Sequence, residues 1–577
     1  MPHLYPRNPR ATRIGATGLV SLQSSRWAGR KALAFIVSSI TILHHKLNPA
    51  LQGILKDMRF VLASLLALGV SLGQNAYLIT PKGSLQGGIN GGAQVAYFLG
   101  IPYAKAERWK APVAVNGWEG VLNATKVGSA CPQRSTLTSR FGGYVPPQSE
   151  DCLSLNVWVP LGTPPEGGWP VMVWIHGGSF TGGSSGEPVY DGTNLASRGV
   201  ILVSLNYRLG VFGYLTLPAL QAEDPQKRAG NYGTLDQLEG LRWVQGNIQL
   251  FGGDPQNVTI FGQSAGGMSV CTLLASPLSK GLFQKAVIQS GGCGYVKGLE
   301  EGFKFGEALA KILGCDPADL ACLRALPREK FFPPEGSETY EAIRKLVQGA
   351  SPASDVGENF AQTPYKPHTD GVVLDKTPLQ ALKEGRAAGI PLIAGATTQE
   401  AWLARFEVGS WEAFRARVKA YLPDQVERVT AEYQRRYRDP GEAWAYLATD
   451  YVLFCPTYAA LRAQSAFAPT YGYVFDYNSA VLPIVGSFHG AEIPWLFGTR
   501  SVWPFFPLYL TDAAQSDITD ASGRLQAYWT RFAKNDEPGG WPRWPEYTSG
   551  QTLWFGEQLS VRPDPYAERC GWLEEKQ

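Results

Sequence analysis

Methionine and histidine are scarce in this 577-residue chain, with four and six copies. So few histidines, and no Cys-x-x-Cys pair, leave no zinc-ligand spacing. No internal repeat, low-complexity tract or long linker is present, which excludes collagen-like and disordered chains. Long hydrophobic runs are also missing. Ala32 to Leu43 and Phe60 to Val70 both fall short of the roughly 20 residues that a membrane span needs. With a mean hydropathy of −0.12, this argues against a polytopic membrane protein. A strongly basic body is absent as well. Residues 1–57 hold eight Lys or Arg and one acid, Asp57, a charge of +7. The whole chain carries +3, so residues 58–577 carry −4. The pI of about 8.3 therefore belongs to a leader, and the mildly acidic remainder offers no nucleic-acid-binding face. What is there is an ordinary globular balance, 44% apolar and 18% charged, with 17 Trp to fill a large core.

The leader ends in a secretory pattern. Residues 58–73 read MRFVLASLLALGVSLG. Arg59 is a positive n-region, Phe60 to Val70 an apolar h-region, and Ser71 and Gly73 are small residues at −3 and −1. The pattern predicts a secreted chain that begins near Gln74, with residues 74–577 as a single folded domain. A signal should lie beside the initiator, so Met58 is the expected start and residues 1–57 an extra leader outside the mature fold. The rival is a transit peptide, because residues 1–56 are Arg-rich and acid-free. Eight cysteines suit secretion. Cys131/Cys152 and Cys315/Cys322 are close pairs in loop-like sequence, suited to local disulfides. Sequons at Asn123 and Asn257 would be glycosylated on that route.

Short apolar strands broken by Gly-rich turns are predicted at Leu153 to Val159, Val171 to Ile175, Val200 to Leu205 and Val258 to Phe261. Asn231 to Gln249 repeats Leu235, Leu238, Leu241 and Val244 at helical spacing. Strands alternating with helices imply an α/β fold on a mostly parallel sheet. Residues 296–350 and 400–450 are helix-rich and are expected to cap it. Strands return at Ile390 to Ala394, Tyr471 to Phe475 and Thr552 to Phe555, with a helix around Ala513 to Ala533.

The chemistry centres on Gly262-Gln263-Ser264-Ala265-Gly266, a G-x-S-x-G run between a buried strand and a helix, Ala265 to Leu274. So tight a turn strains the serine, and flanking glycines remove clashing side chains. Ser264 Oγ would stand above the sheet as a nucleophile. A base must follow. Only His368 and His489 lie after Ser264. His489, in Gly486-Ser487-Phe488-His489-Gly490, is the candidate base, and His368 reads as a surface-loop residue. For the orienting acid, Glu400 follows a strand and a short loop, while Asp370 and Glu492 compete. An HGGG-like run, His176-Gly177-Gly178-Ser179, follows another strand. N–H groups of Gly178, Ser179 and Ala265 are expected to hold an oxyanion, and His176 reads as structural.

Together these residues resemble the type-B carboxylesterase/lipase family, α/β-hydrolases that include cholinesterases and fungal extracellular lipases. The resemblance spans roughly Tyr77 to Pro563. It rests on Tyr97-Phe98-Leu99-Gly100-Ile101-Pro102-Tyr103-Ala104 with Arg108-Trp109, on Glu150-Asp151-Cys152-Leu153-Ser154-Leu155-Asn156-Val157, on Asn206-Tyr207-Arg208-Leu209-Gly210 and on Phe251-Gly252-Gly253-Asp254-Pro255. It implies an α/β-hydrolase fold: a large mixed sheet, flanking helices and helical cap insertions. It further implies an ester hydrolase with Ser264 as nucleophile, Glu400 as acid and His489 as base, needing no metal or cofactor. Cys131–Cys152 and Cys315–Cys322 fall on its loop disulfides, and Arg108–Glu150 and Arg208–Asp254 on its structural ion pairs. Cys293, Cys455 and Cys570 are not placed by the motifs, and Cys271 reads as a buried thiol. Gln263 stands where a Glu often precedes the serine, and Ala401 where a Gly often follows the acid. The Cys131–Cys152 loop offers Phe141 and Tyr144 but no Trp, so a cation–π site for choline is not expected. An interfacial lipase is the alternative reading. A neuroligin-like binding protein is the remote one, since all three chemical positions are filled.

Overall fold

The computed structural model describes residues 75–134, 146–349, 364–477, 486–499 and 512–571. The leader, the signal-like run, Gln74, Phe141 and Tyr144 lie outside the described residues.

Among the described residues the sheet has thirteen strands. It opens with antiparallel β1 (Asn75–Thr80), β2 (Gly83–Asn90) and β3 (Val95–Pro102), then β4 (Ser154–Pro160). Next, in spatial order, come β6 (Ile201–Leu205), β5 (Trp169–Ile175), β7 (Gly253–Gln263), β8 (Lys285–Gln289), β9 (Leu392–Thr397), β10 (Thr470–Phe475) and β11 (Gln551–Phe555), all mutually parallel. Antiparallel β12 (Leu559–Pro563) closes one edge, and Val121–Asn123 pairs beside β2. Parallel neighbours need crossovers. Helix α1 (Tyr232–Asn247) links β6 to β7, and α2 (Ala265–Ala275) links β7 to β8. Every residue of β4, β6, β8, β9 and β10 is buried, as expected of strands covered on both faces.

Strand alternation divides β5 between two cores. Val171, Val173 and Ile175 pack with Leu238 and Leu241 of α1. Met172 and Trp174 pack on the other face with Phe261, Trp529 and Trp544. Burying each such side chain contributes roughly 1.5–3 kcal/mol. The segment after Glu400 builds a separate cluster, in which Ala404 and Val408 meet Phe414, Tyr433 and Trp444.

Disulfides join Cys131–Cys152, Cys315–Cys322, Cys271–Cys293 and Cys455–Cys570. Cys271 is therefore not a thiol. Its partner lies across a crossover, 22 residues on, where no local pattern reveals it. A second correction concerns Arg208. Its guanidinium meets Asp236 at 2.8 Å through both Nε and Nη2, whereas Asp254 accepts the Gln256 N–H in a local turn. Arg108 binds Glu150 at 2.5 Å. The third correction is His368, which is 1% exposed. It pairs with Lys297 in a two-stranded ladder. A Cβ on Gly230 would meet its Nδ1 at 2.9 Å, and one on Gly302 its Nε2 at 2.6 Å. Burial pushes its pKa down to about 3.

Candidate functional site

Ser264 joins β7 to α2 with φ 59° and ψ −128°. Few non-glycine residues adopt such angles, and they cost of order 1–3 kcal/mol. The surroundings compel the turn. A Cβ on Gly262 would lie 2.5 Å from the Gly266 carbonyl carbon, and one on Gly266 would lie 2.0 Å from the Ile175 oxygen. Only glycine fits at either place. Ser264 N–H donates to the Gln289 carbonyl at 2.9 Å, which anchors the turn to β8. The residue itself is 6% exposed.

The loop after β5 lies against this turn. A Cβ on Gly177 would come within 3.0 Å of the Ser264 Cβ. Gly178, Ser179 and Phe180 all have positive φ. The Gly178 carbonyl accepts N–H groups from Thr181 and Gly182 at 2.9 Å, so the loop folds back on itself beside Ser264. His176 is buried beneath it and stacks on Tyr207 at 4.5 Å. Its Nδ1 lies 2.8 Å from the Gly177 carbonyl, and burial lowers its pKa to about 4.

Glu400 sits in the turn after β9, 3% exposed. Its Oε1 accepts from the Thr397 N–H at 2.7 Å and from Ser290 Oγ at 2.5 Å, and its Oε2 meets His489 Nδ1 at 2.5 Å. Charge-assisted contacts of this length orient the imidazole. Gln263 Nε2 stands 3.3 Å from His489 Nδ1 and 3.2 Å from Nε2. The histidine is thus held between Glu400 and the residue next to Ser264. Gln399 links the two loops: its N–H donates to the Ser487 carbonyl, and its Oε1 accepts the Ser487 N–H. Thr449 Oγ1 accepts the Ala401 N–H at 3.0 Å, which supports the turn from behind.

Asp370 is not at this centre; its Oδ1 accepts N–H groups from Val372, Val373 and Leu374. Glu492 is close but does not touch the imidazole. It is 1% exposed, and Gln289 donates to it at 3.4 Å. Burial, with the Glu400 charge beside it, raises its pKa to about 8, so at pH 7 it is a neutral acid. A free glutamic acid ionises near 4.5, so the unfolded chain releases this proton first. Stability from this group is present below pH 4.5 and is lost as pH rises to about 8, by up to about 1.4 kcal/mol per unit. Glu492→Gln is expected to flatten the decline in thermal stability between pH 6 and 8, read by calorimetry across a pH series. An unchanged slope would refute the neutral acid.

Sequence reasoning missed Ser290 and Gln399, and of Glu492, named as a competing acid, it missed the burial. Ser290 opens the Ser290-Gly291-Gly292 run after a buried strand, which is a signal for close backbone approach. Nothing in it points to Glu400, 110 residues away. Among the described residues no group of three or more His, Cys, Asp or Glu could hold a metal ion, and no helix is long and apolar enough to cross a membrane.

Residues 74–572 match the sequence model of the Carboxylesterase family. The para-nitrobenzyl esterase of Bacillus subtilis (strain 168) is 37% identical over 505 residues, covering 85% of this chain and 95% of that protein. The fumonisin B1 esterase of Sphingopyxis macrogoltabida is 34% identical, covering 83% and 86%. Among solved structures, a thermophilic PNB esterase superposes with a TM-score of 0.73 at 34% identity, covering 86% of this chain and 99% of that one.

Proposed function

Because the chain belongs to the carboxylesterase family and is a carboxylic ester hydrolase, we propose that Ser264, His489 and Glu400 perform the hydrolysis through an acyl-enzyme. The contact between Glu400 Oε2 and His489 Nδ1 carries this reading. A carboxylate only accepts, so Nδ1 holds the proton and Nε2 is left as the base. Ser264 Oγ gives its proton to Nε2 as it attacks the ester carbonyl. Glu400 stabilises the imidazolium that forms. The oxyanion meets the N–H groups of Gly178, Ser179 and Ala265, the last at the N-terminus of α2. His489 then protonates the departing alcohol, and water activated by the same imidazole releases the acid. The substrate is a small-molecule or lipid ester.

The chain is also proposed to be secreted, on the signal-like run at 58–73 and the four disulfides. Of the two sequons Asn123 is the better glycan acceptor. It is exposed, whereas Asn257 is half-buried and accepts from Lys285 Nζ at 2.6 Å. An interfacial reading is favoured by Leu403 and Phe406, which are 69% and 74% exposed just past Glu400.

One experiment covers these points. A ladder of p-nitrophenyl esters, acetate to palmitate, is given to protein secreted from a host expressing the chain from Met58. A peak at short acyl chains is the expected result. A peak at long chains, with a jump above the solubility limit, would establish the interfacial reading. No turnover of any ester would overturn the proposal. Intact mass of the product reads its N-terminus and the glycan at Asn123.

A further inference from the structure

The nucleophile helix and the segment after β8 run side by side. At one end Ser264 N–H donates to the Gln289 carbonyl. One turn along α2, Gly267 meets Gly291 backbone to backbone: a Cβ on Gly291 would lie 2.6 Å from the Gly267 Cα. One further turn along, Cys271 is bonded to Cys293, and both are buried, 0% and 1% exposed. Ser290 lies within this seam, donating its N–H to the Gly395 carbonyl at 2.8 Å and its hydroxyl to Glu400 Oε1.

Backbone contacts, rather than side chains, otherwise hold the seam. Gly291, Gly292 and Gly294 contribute no side chains and have wide backbone freedom. Ser290 is held at φ 48°, an uncommon conformation for a side-chain-bearing residue. Beyond the cystine, the Cys293 carbonyl accepts from the Leu379 N–H at 3.1 Å, on another element.

We propose that the Cys271–Cys293 disulfide is a positioning element of the ester-hydrolysing site, locking the segment that carries Ser290 to the nucleophile helix and so fixing Glu400 relative to Ser264. The proposal rests on the catalytic reading above and adds to it a covalent link from the nucleophile helix to the segment whose Ser290 hydroxyl holds Glu400. Because the bond is buried, small reductants reach it only when the protein opens. It acts as a constitutive staple.

The test removes the bond and reads kcat apart from KM. In Cys271→Ala/Cys293→Ala, kcat for p-nitrophenyl acetate is expected to fall at least tenfold with KM within twofold, at a temperature well below the melting point. Ser290→Ala in the stapled enzyme is expected to lower kcat by a similar factor. In the unstapled enzyme the same substitution should cost little more, because both act through one hydrogen bond. Cys315→Ala/Cys322→Ala, a bridge spanning seven residues elsewhere, should leave kcat within twofold. Should the Ala pair not fold, Cys271→Ala/Cys293→Val refills the volume and is read in the same way. A kcat within twofold of wild type, with loss of the bond confirmed by mass, overturns the staple. So does a Ser290→Ala penalty that stays undiminished without the bond. Inactivity of the wild-type protein on every ester would instead overturn the catalytic reading, so the two failures are distinguishable.

Discussion

Ser264→Ala is expected to lower kcat for p-nitrophenyl esters by on the order of 10⁶-fold while the protein stays folded. The size follows from the chemistry. Without Oγ no acyl-enzyme forms, and any residual rate comes from the N–H groups of the oxyanion pocket and from binding alone. The fold should survive because Oγ is not what holds the turn. Gly262 and Gly266 fit against backbone, and the Ser264 N–H bond to Gln289 needs no side chain. A companion variant separates strain from chemistry. Alanine keeps the cost of φ 59°, whereas Ser264→Gly relieves it, so the glycine variant should be about 1 kcal/mol more stable than the alanine variant and equally inactive. Titration of active sites with a p-nitrophenyl phosphonate, beside calorimetry, checks both. An alanine variant that turns over at more than a hundredth of the wild-type rate sinks the mechanism.

The largest expected loss of stability is at Asp236. Its side chain is fully buried on α1, and that of Arg208 is 5% exposed. Burial pushes the Asp236 carboxyl up, and the Arg208 guanidinium offsets only part of that rise. Asp236→Ala leaves the guanidinium in the core without its carboxylate, which costs roughly 3–5 kcal/mol. For about 500 residues the unfolding entropy is about 1 kcal/mol/K, so the melting point should drop by about 3–5 °C. Asp254→Ala removes only an acceptor for the Gln256 N–H and should cost under about 1 kcal/mol. Calorimetry on the two variants decides. If Asp254→Ala proves the more damaging, the assignment of the Arg208 partner is wrong.

Much of the centre could be read from the chain because its signals are local. G-x-S-x-G needs no distant partner to be recognised, since the clash that forces Gly262 and Gly266 arises within one strand-turn-helix unit and its neighbour strand. The continuous apolar stretches at 154–160 and 201–205 announce strands covered on both faces. His489 followed from the Ser, acid, His order of the α/β-hydrolases it resembles, which with so few histidines leaves only His368 beside it. Glu400 was different. Chemistry left it beside Asp370 and Glu492, and only the family resemblance separated them.

The errors have two sources. Cys271 as a thiol and His368 at the surface were judged from neighbours along the chain, whereas Arg208 with Asp254 was carried over from the family resemblance. Their environments are made by elements that the chain brings from elsewhere: α1, the segment after β8, and Gly230 with Gly302.

By itself the sequence determined the α/β fold class and the strained serine turn, because each follows from periodicity or local sterics, and with the family's chain order it also gave the candidate base. Only the tertiary structure decided that Ser290 and Thr397 hold Glu400, that Glu492 is buried beside it as a neutral acid, and that Cys271 is bonded to Cys293. Those outcomes depend on which strands lie side by side in the sheet. Adjacent parallel strands bring together residues more than a hundred positions apart, such as Ser290 and Glu400, at distances that burial and charge then make consequential.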